Sequence, residues 1–165
     1  TFAPAIAPHL AALEAGAVLN VASVTQALSD TLTSTPRDLT LIEGAGGWRV
    51  PLNEAEDFSD LPRALGLPVI LVVGLKLGCL NHARLTAEAI AADGLTLAGW
   101  VGSVVDSAFA DDSPRFAANV ALLKRALPAP CLGIIPHLAT ADAPTAQYYL
   151  SLDALLPLAT QEATP

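Results

Sequence analysis

Four short segments of the chain are apolar at nearly every position. They are residues 39–42, 69–73, 97–101 and 131–135. A strand with one face in water alternates apolar and polar residues, whereas a strand buried on both faces is apolar throughout. Such strands occur in parallel sheets whose faces are covered by helices. The pattern therefore predicts four buried strands of a mostly parallel sheet.

The residues between these segments show the three- and four-residue spacing of amphipathic helices. Apolar side chains recur in two stripes, at Val21, Val24, Leu28 and Leu32 and at Phe116, Val120, Leu123 and Leu127. Pro36 and Pro128 end these two predicted helices, because the residue before a proline disfavours helical geometry. We predict a further helix from Asn81, as its cap, to Asp93, and a last one over residues 145–156. The alternation indicates an α/β protein with a doubly wound sheet, in a single domain that spans all 165 residues.

Composition excludes several classes of protein. Of the 165 residues, 53% are hydrophobic and 15% are charged, so the chain can bury a core and is not expected to be disordered. The formal net charge is -8 and the basic residues form no cluster, which argues against non-specific nucleic-acid binding. The apolar segments are shorter than the roughly 20 residues of a membrane-spanning helix. Cys79 and Cys131 form no CxxC pair, and we expect a soluble, cytoplasmic protein.

A glycine-rich loop follows the first predicted strand. It reads Glu43-Gly44-Ala45-Gly46-Gly47-Trp48. A carboxylate at a strand end can hold Mg²⁺, and glycine amides can approach phosphate oxygens closely. A plain glycine turn with a solvated Glu43 explains the same residues, so the local sequence leaves both interpretations open.

The second predicted strand leads into a helix through Lys76-Leu77-Gly78-Cys79-Leu80-Asn81-His82. Free backbone amides at a helix N-terminus attract anions, so residues 78–81 could bind a carboxylate or a phosphate. An ordinary capped helix is the alternative. Cys79 could act as a nucleophile with His82 as its base, although no third group is placed to orient the histidine.

The third predicted strand ends in Trp100-Val101-Gly102-Ser103-Val104, and the fourth ends in Ile135-Pro136-His137-Leu138. These residues could wall a pocket for a flat base, or they could be ordinary loops. The sequence contains no GxxxxGK[ST], no GxSxG and no GxGxxG after a strand. A nucleotide bound to this chain would therefore have its main phosphate cradle elsewhere.

Taken together and in this order, the strand-end sequences resemble those of dethiobiotin synthetase, the ATP-dependent enzyme family that closes the ureido ring in biotin synthesis. The two most specific strings are E-G-A-G-G-W at residues 43–48 and K-L-G-C-L-N-H at residues 76–82. The resemblance continues through G-L-T-L-A-G-W-V at 94–101 and P-A-P-C-L-G at 128–133, and so covers nearly the whole chain. It implies a P-loop NTPase-like fold, ATP and Mg²⁺ as cofactors, and a homodimer.

The resemblance also implies a reaction. In this family, CO₂ adds to one amine of 7,8-diaminononanoate to form a carbamate. ATP phosphorylates the carbamate, and the second amine then attacks to close the cyclic urea of dethiobiotin.

The resemblance assigns roles residue by residue. The segment that matches the family's ATP contacts is Glu43, Gly44, Ala45 and Gly46, and Glu43 matches the Mg²⁺-associated carboxylate. A second match is a helix start at Gly78, Cys79, Leu80 and Asn81. In the family's homodimer, this helix start receives the substrate carboxylate from the neighbouring subunit's site. The segments that line the nucleotide-base pocket are matched by Ser103, Val104, Pro136, His137 and Leu138.

This chain departs from the family pattern in two places. The family usually has Asn-Asp where Ser103 and Val104 stand, and Ala143 replaces an expected acidic residue beside Asp142. The family's P-loop, its catalytic lysine and a second Mg²⁺-binding aspartate all precede the segment that resembles Thr1. We therefore expect the carboxyl-terminal portion of such an enzyme, incomplete at its N-terminus, which holds no catalytic residue and does not catalyse alone.

Two other functions stay open at the level of sequence. The chain could be the P-loop domain of a cobyrinate-type amide synthase, although K-L-G-C-L-N-H argues against that assignment. It could also be a non-catalytic fragment that serves in dimerisation or binding.

Overall fold

The computed structural model describes residues 2, 6–140 and 142–155 of the chain. The chain divides into two structural units, Thr1–Leu67 and Pro68–Pro165. The single-domain assignment stays a prediction. Within the described ranges, no helix combines the length and hydropathy that crossing a membrane requires.

The described residues of the first unit form three helices, α1 (Pro8–Glu14), α2 (Val21–Ser34) and α3 (Asp60–Leu65). Helix α2 confirms the helix that the first apolar stripe predicts. It begins after Asn20, whose side-chain Oδ1 accepts a hydrogen bond from the Ser23 N–H at 2.8 Å, and it ends just before the proline at position 36. Capping and proline chemistry thus set both ends of this helix.

A carboxylate joins a loop of the first unit to the start of α2. The Glu56 Oε2 atom accepts hydrogen bonds from the Val21 N–H at 3.1 Å and from the Asn53 Nδ2 at 2.6 Å. The same Asn53 amide donates to the Leu19 carbonyl at 2.9 Å. Negative charge at a helix N-terminus is favourable because it faces unpaired N–H groups. This small network therefore holds the loop at residues 53–56 against the helix.

The strand predicted for residues 39–42 is wrong in this structure. No strand is assigned to these described residues, and Leu39, Leu41 and Ile42 are 61%, 74% and 40% exposed. An apolar run becomes a strand only where a neighbouring strand satisfies its backbone and covers its side chains. In the described part of the first unit, these residues lie in irregular structure.

The second unit contains a parallel sheet and its connecting helices. In chain order the elements are β1 (Val69–Leu75), α4 (Cys79–Ala92), β2 (Leu97–Val104), α5 (Ser107–Asp111), α6 (Ser113–Ala126), β3 (Cys131–Ile135), α7 (Ala143–Ala146) and a 3₁₀ turn (Gln147–Tyr149). Among the described residues, three strands pair in the order β1-β2-β3, and both pairings are parallel. The α/β prediction with a parallel sheet is confirmed.

The core of the second unit forms around Trp100 of β2. Trp100, Leu75 of β1 and Leu123 of α6 are completely buried. Helix α4 packs against them with the small side chains of Ala83 and Ala87, which let the helix approach the sheet closely. The apolar stripe that the sequence shows on α6 is therefore the face that this helix buries.

Two predicted helix ends are wrong. Helix α4 is capped by Gly78 at φ 92°, and Asn81 lies inside its first turn. The glycine turn starts the helix earlier than the side-chain cap predicts, since glycine adopts positive φ freely. In place of the last predicted helix, over residues 145–156, the structure has the short helix α7 followed by a 3₁₀ turn. Residues 150–155 are not helical. Residues 156–165 lie outside the described ranges.

The outer edge of β3 is covered by the chain that follows the 3₁₀ turn. Gly133 and Leu150 form an antiparallel bridge, and the Ser151 N–H donates to the Leu132 carbonyl at 2.7 Å. A Cβ atom added at Gly133 would collide with the backbone oxygen of Tyr149. Glycine at this position is what allows the two backbones to approach.

We expect Gly133→Ala to lower the free energy of unfolding by about 1–3 kcal/mol, because an added methyl group overpacks a backbone contact that cannot yield. Urea denaturation followed by circular dichroism measures this loss. Gly74→Ala in β1 is the matched control, since its Cβ would lie at an ordinary 3.5 Å from Val105 Cγ2. Equal stability of the two variants would contradict the assigned contact.

Candidate functional site

The glycine-rich loop of the first unit is shaped by the residues that follow it. A Cβ atom at Gly44 would lie 2.5 Å from Phe58 Cε1, and one at Gly46, which has φ +87°, would lie 2.9 Å from Val50 Cγ2. Phe58 and Val50 are themselves joined, because the Phe58 N–H donates to the Val50 carbonyl at 2.7 Å. The loop is therefore packed on Phe58 and Val50, and a Cβ atom at Gly44 or Gly46 would require these side chains to move.

Glu43 lies at the start of this loop with its carboxylate exposed. Within the described ranges, no group of three or more His, Cys, Asp or Glu side chains could hold a metal ion. Mg²⁺ is commonly bound by one or two carboxylates, with phosphate oxygens and water as its other ligands. Glu43 is an exposed single carboxylate of this kind, and its role as a Mg²⁺ ligand stays a prediction.

The start of α4 presents backbone N–H groups at the carboxyl end of β1. Leu80 and Asn81 occupy the first turn, where N–H groups have no acceptor within the helix. Asn81 and His82 are exposed, whereas Cys79 is only 2% exposed and packs in the core beside Val73. This burial argues against Cys79 as a nucleophile, because its thiol faces the core and not a ligand.

A cleft opens where β2 and β3 end. Ser103 of β2 is in register with Ile135 of β3, so the two parallel strands end at the same level. The cleft has a volume of about 540 Å³, within the usual range for small-molecule sites. It is lined by residues 103–105 and 135–138, together with Asp142, Ala143 and Ala146. The structure therefore brings together the two segments that the sequence predicts as walls of a base pocket.

Asp142 caps the helix that closes one side of this cleft. Its Oδ1 atom accepts a hydrogen bond from the Thr145 N–H at 2.7 Å. Hydrogen bonds from the Thr145 hydroxyl and N–H lower the pKa of the Asp142 carboxyl from its ordinary 3.8, and they outweigh a small opposing effect of burial. The capping role was missed by sequence reasoning, although an aspartate three residues before a threonine, with Pro144 between them, is a helix-start signal.

The predicted site residues fall into three places. Ser103, Val104 and residues 136–138 share the cleft. The start of α4 lies at the same edge of the sheet, since all three strands run parallel. Glu43 and the glycine loop belong to the first unit. Sequence reasoning also missed Val105 and Ala146 as cleft walls, because apolar side chains carry no chemical signal of their own.

Comparison with known proteins finds one matching family profile and several similar proteins that share one name. Residues 1–145 match the profile of a family described as AAA domain. The chain is similar to the ATP-dependent dethiobiotin synthetase BioD of Chromohalobacter salexigens, with 56% identity over 158 residues that cover 93% of this chain and 66% of the relative. The proteins of the same name from Pseudomonas aeruginosa strain UCBPP-PA14 and Cellvibrio japonicus are 56% and 49% identical, over 92% of this chain and 64% of each relative.

These matches confirm the resemblance that the strand-end strings indicate. The chain spans slightly less than two thirds of the length of these relatives.

The cap at Asp142 gives a prediction about pH. Because its native pKa is lowered, the carboxylate stabilises α7 above pH 3.8, and this contribution is lost as the pH falls through the native value. We expect NMR titration of the Asp142 carboxyl to give a pKa below 3.8. Thr145→Val should move this pKa back toward 3.8, because it removes the hydroxyl and keeps the backbone donor.

Thr86→Val is the matched control for this titration. The Thr86 hydroxyl bonds to the His82 carbonyl within α4, so its removal should leave the Asp142 pKa unchanged. An Asp142 pKa that is the same in Thr145→Val and in the unaltered chain would contradict the assigned hydrogen bond.

Proposed function

We propose that this chain, which belongs to the AAA domain family, is part of an ATP-dependent dethiobiotin synthetase. Identity of 56% to a protein of that name, over 93% of this chain, carries the proposal. The cleft at the ends of β2 and β3 supports it, because open α/β sheets bind nucleotides outside the carboxyl ends of their strands.

The proposed reaction is the ATP-dependent closure of a cyclic urea in biotin biosynthesis. CO₂ adds to one amine of 7,8-diaminononanoate, and the resulting carbamate takes the γ-phosphoryl group of ATP. The second amine attacks the activated carbonyl carbon, and phosphate leaves as dethiobiotin forms. Phosphorylation is needed because a carbamate oxygen is otherwise a poor leaving group.

Three parts of the chain serve this reaction. The cleft holds the nucleotide base between Ser103, Val104 and residues 136–138. Glu43 would hold Mg²⁺, and the ion would supply positive charge beside the phosphate oxygens. The first turn of α4 receives the carboxylate of the substrate, since its N–H groups and helix dipole favour an anion.

Partners and location complete the proposal. We propose a cytoplasmic homodimer in which the start of α4 serves the substrate site of the neighbouring subunit. The substrates, 7,8-diaminononanoate and CO₂ or bicarbonate, are small molecules, and no nucleic acid or membrane takes part.

We also propose that these 165 residues do not catalyse alone. They contain no GxxxxGK[ST] motif, and phosphoryl transfer depends on a loop that cradles the β- and γ-phosphates. The relatives that match this chain extend beyond the matched part by about a third of their length.

A fusion experiment tests this function. The 165-residue chain is joined to the unmatched third of the Chromohalobacter salexigens relative and assayed for dethiobiotin by mass spectrometry. We expect product that depends on ATP, Mg²⁺ and 7,8-diaminononanoate, and none from the 165-residue chain alone. A well-folded fusion that consumes ATP without forming dethiobiotin would exclude the proposed reaction.

Replacement of Glu43 tests its assigned role in the same fusion. We expect Glu43→Gln to lower kcat by about 100-fold or more, because it removes a charged Mg²⁺ ligand without changing side-chain volume. Unfolding by urea should be unchanged, since Glu43 is exposed. Glu54→Gln, at another exposed carboxylate, is the matched control and should retain activity. Full turnover of Glu43→Gln at saturating Mg²⁺ would refute the role.

A further inference from the structure

The chain that follows the glycine loop turns back on itself. This turn segment, residues 50–58, has an antiparallel bridge between its two arms. At its closed end, the Leu52 N–H donates to the Glu56 carbonyl at 2.8 Å. At its open end, the Phe58 N–H donates to the Val50 carbonyl at 2.7 Å. These backbone bonds hold the two arms of the turn segment together.

The open end of the turn segment supports the glycine loop. The Phe58 ring lies against Gly44, where an added Cβ would come within 2.5 Å of it. The Val50 side chain lies against Gly46 in the same way. Because Glu43 directly precedes Gly44, the position of its backbone depends on these contacts.

The closed end of the turn segment is held by the half-buried carboxylate of Glu56. Its Oε2 atom accepts from the Asn53 amide at 2.6 Å and from the Val21 N–H at 3.1 Å. Val21 is the first residue of α2 and lies 35 positions away along the chain. The same Asn53 amide donates to the Leu19 carbonyl at 2.9 Å, just before the helix. Two hydrogen bonds therefore join the turn segment to the start of α2.

The junction depends on an acceptor oxygen at position 56. The Val21 N–H lies in the first turn of α2, where N–H groups have no acceptor within the helix. Glu56 supplies that acceptor. Without it, the N–H loses its partner, and the turn segment loses one of its two bonds to the helix.

We propose that Glu56 is a positioning residue for the glycine loop. Its carboxylate fixes the closed end of the turn segment on α2, and the open end holds Gly44 and Gly46. Glu43 thereby keeps one place relative to its ligand. The inference rests on the proposed function where it concerns Mg²⁺, since it takes Glu43 as the ligand of that ion. The order of the loop itself does not depend on that role.

Backbone dynamics of the complete 165-residue chain test the positioning role. Order parameters of the Gly44 and Gly46 amides are measured by ¹⁵N relaxation. We expect values of about 0.85 in the unaltered chain and below about 0.6 in Glu56→Ala, which removes both bonds of the carboxylate. Glu56→Gln should keep the higher values, because an amide oxygen still accepts from the Val21 N–H. Glu54→Ala, at a neighbouring exposed carboxylate, is the matched control and should change neither value.

A second variant answers the question if Glu56→Ala does not fold. Val21→Pro removes only the N–H that donates to Glu56, and proline is well accepted at the first position of a helix. Asn20 before it is already extended, as the residue before a proline prefers. We expect the order parameters of Gly44 and Gly46 to fall here as well. Val21→Ala keeps the N–H and is the matched control.

Activity distinguishes positioning from simple loss of stability. In the fusion with the unmatched third of the relative, we expect Glu56→Ala to raise the Mg²⁺ concentration for half-maximal rate about tenfold, as for groups that orient a metal ligand. Saturating Mg²⁺ should restore most of kcat. A loss of folded protein alone would lower kcat and leave that Mg²⁺ concentration unchanged.

The outcomes separate this inference from the function on which it rests. Unchanged order parameters in Glu56→Ala and Val21→Pro, or an equal fall in Glu56→Gln, would overturn the inference and leave Glu43 as the proposed ligand. A disordered loop with an unchanged Mg²⁺ requirement would also overturn it. Full turnover of Glu43→Gln would refute the Mg²⁺ role instead, and the order parameters would still decide whether Glu56 positions the loop.

Discussion

The parallel pairing of β2 with both of its neighbours is the constraint on which the second unit depends. Because β2 pairs with β1 and with β3 in the same direction, all three strands deliver their following residues to one edge. Its central Trp100 is completely buried and fills the core that α4 and α6 cover. The cleft and the start of α4 share an edge for this reason, although their residues are distant in sequence.

Several glycines allow segments of the chain to pack closely against one another. Gly133 allows the chain after α7 to run against β3, and Gly44 and Gly46 allow their loop to pack on Phe58 and Val50. Gly78 starts α4 at a positive φ that other residues adopt only with strain. Gly44, Gly46 and Gly78 belong to proposed ligand-binding segments, whereas Gly133 lies within β3.

The parts of the fold that the sequence predicted well have strong periodic signals and local ends. Helix α2 has a cap at Asn20 and a proline after its last turn, and β3 is bounded by prolines on both sides. The prediction failed for residues 39–42, because a strand needs a partner that local sequence does not specify. It also misplaced the cap of α4, where a glycine turn replaced a side-chain cap.

By itself, the sequence determined the α/β class and the resemblance to dethiobiotin synthetases. These depend on hydrophobic period and on short strings that are readable in order along the chain. Only the tertiary structure decided that Ser103 and His137 line one cleft and that Cys79 is buried. Such facts depend on strand register and on contacts between distant segments, which no local pattern encodes.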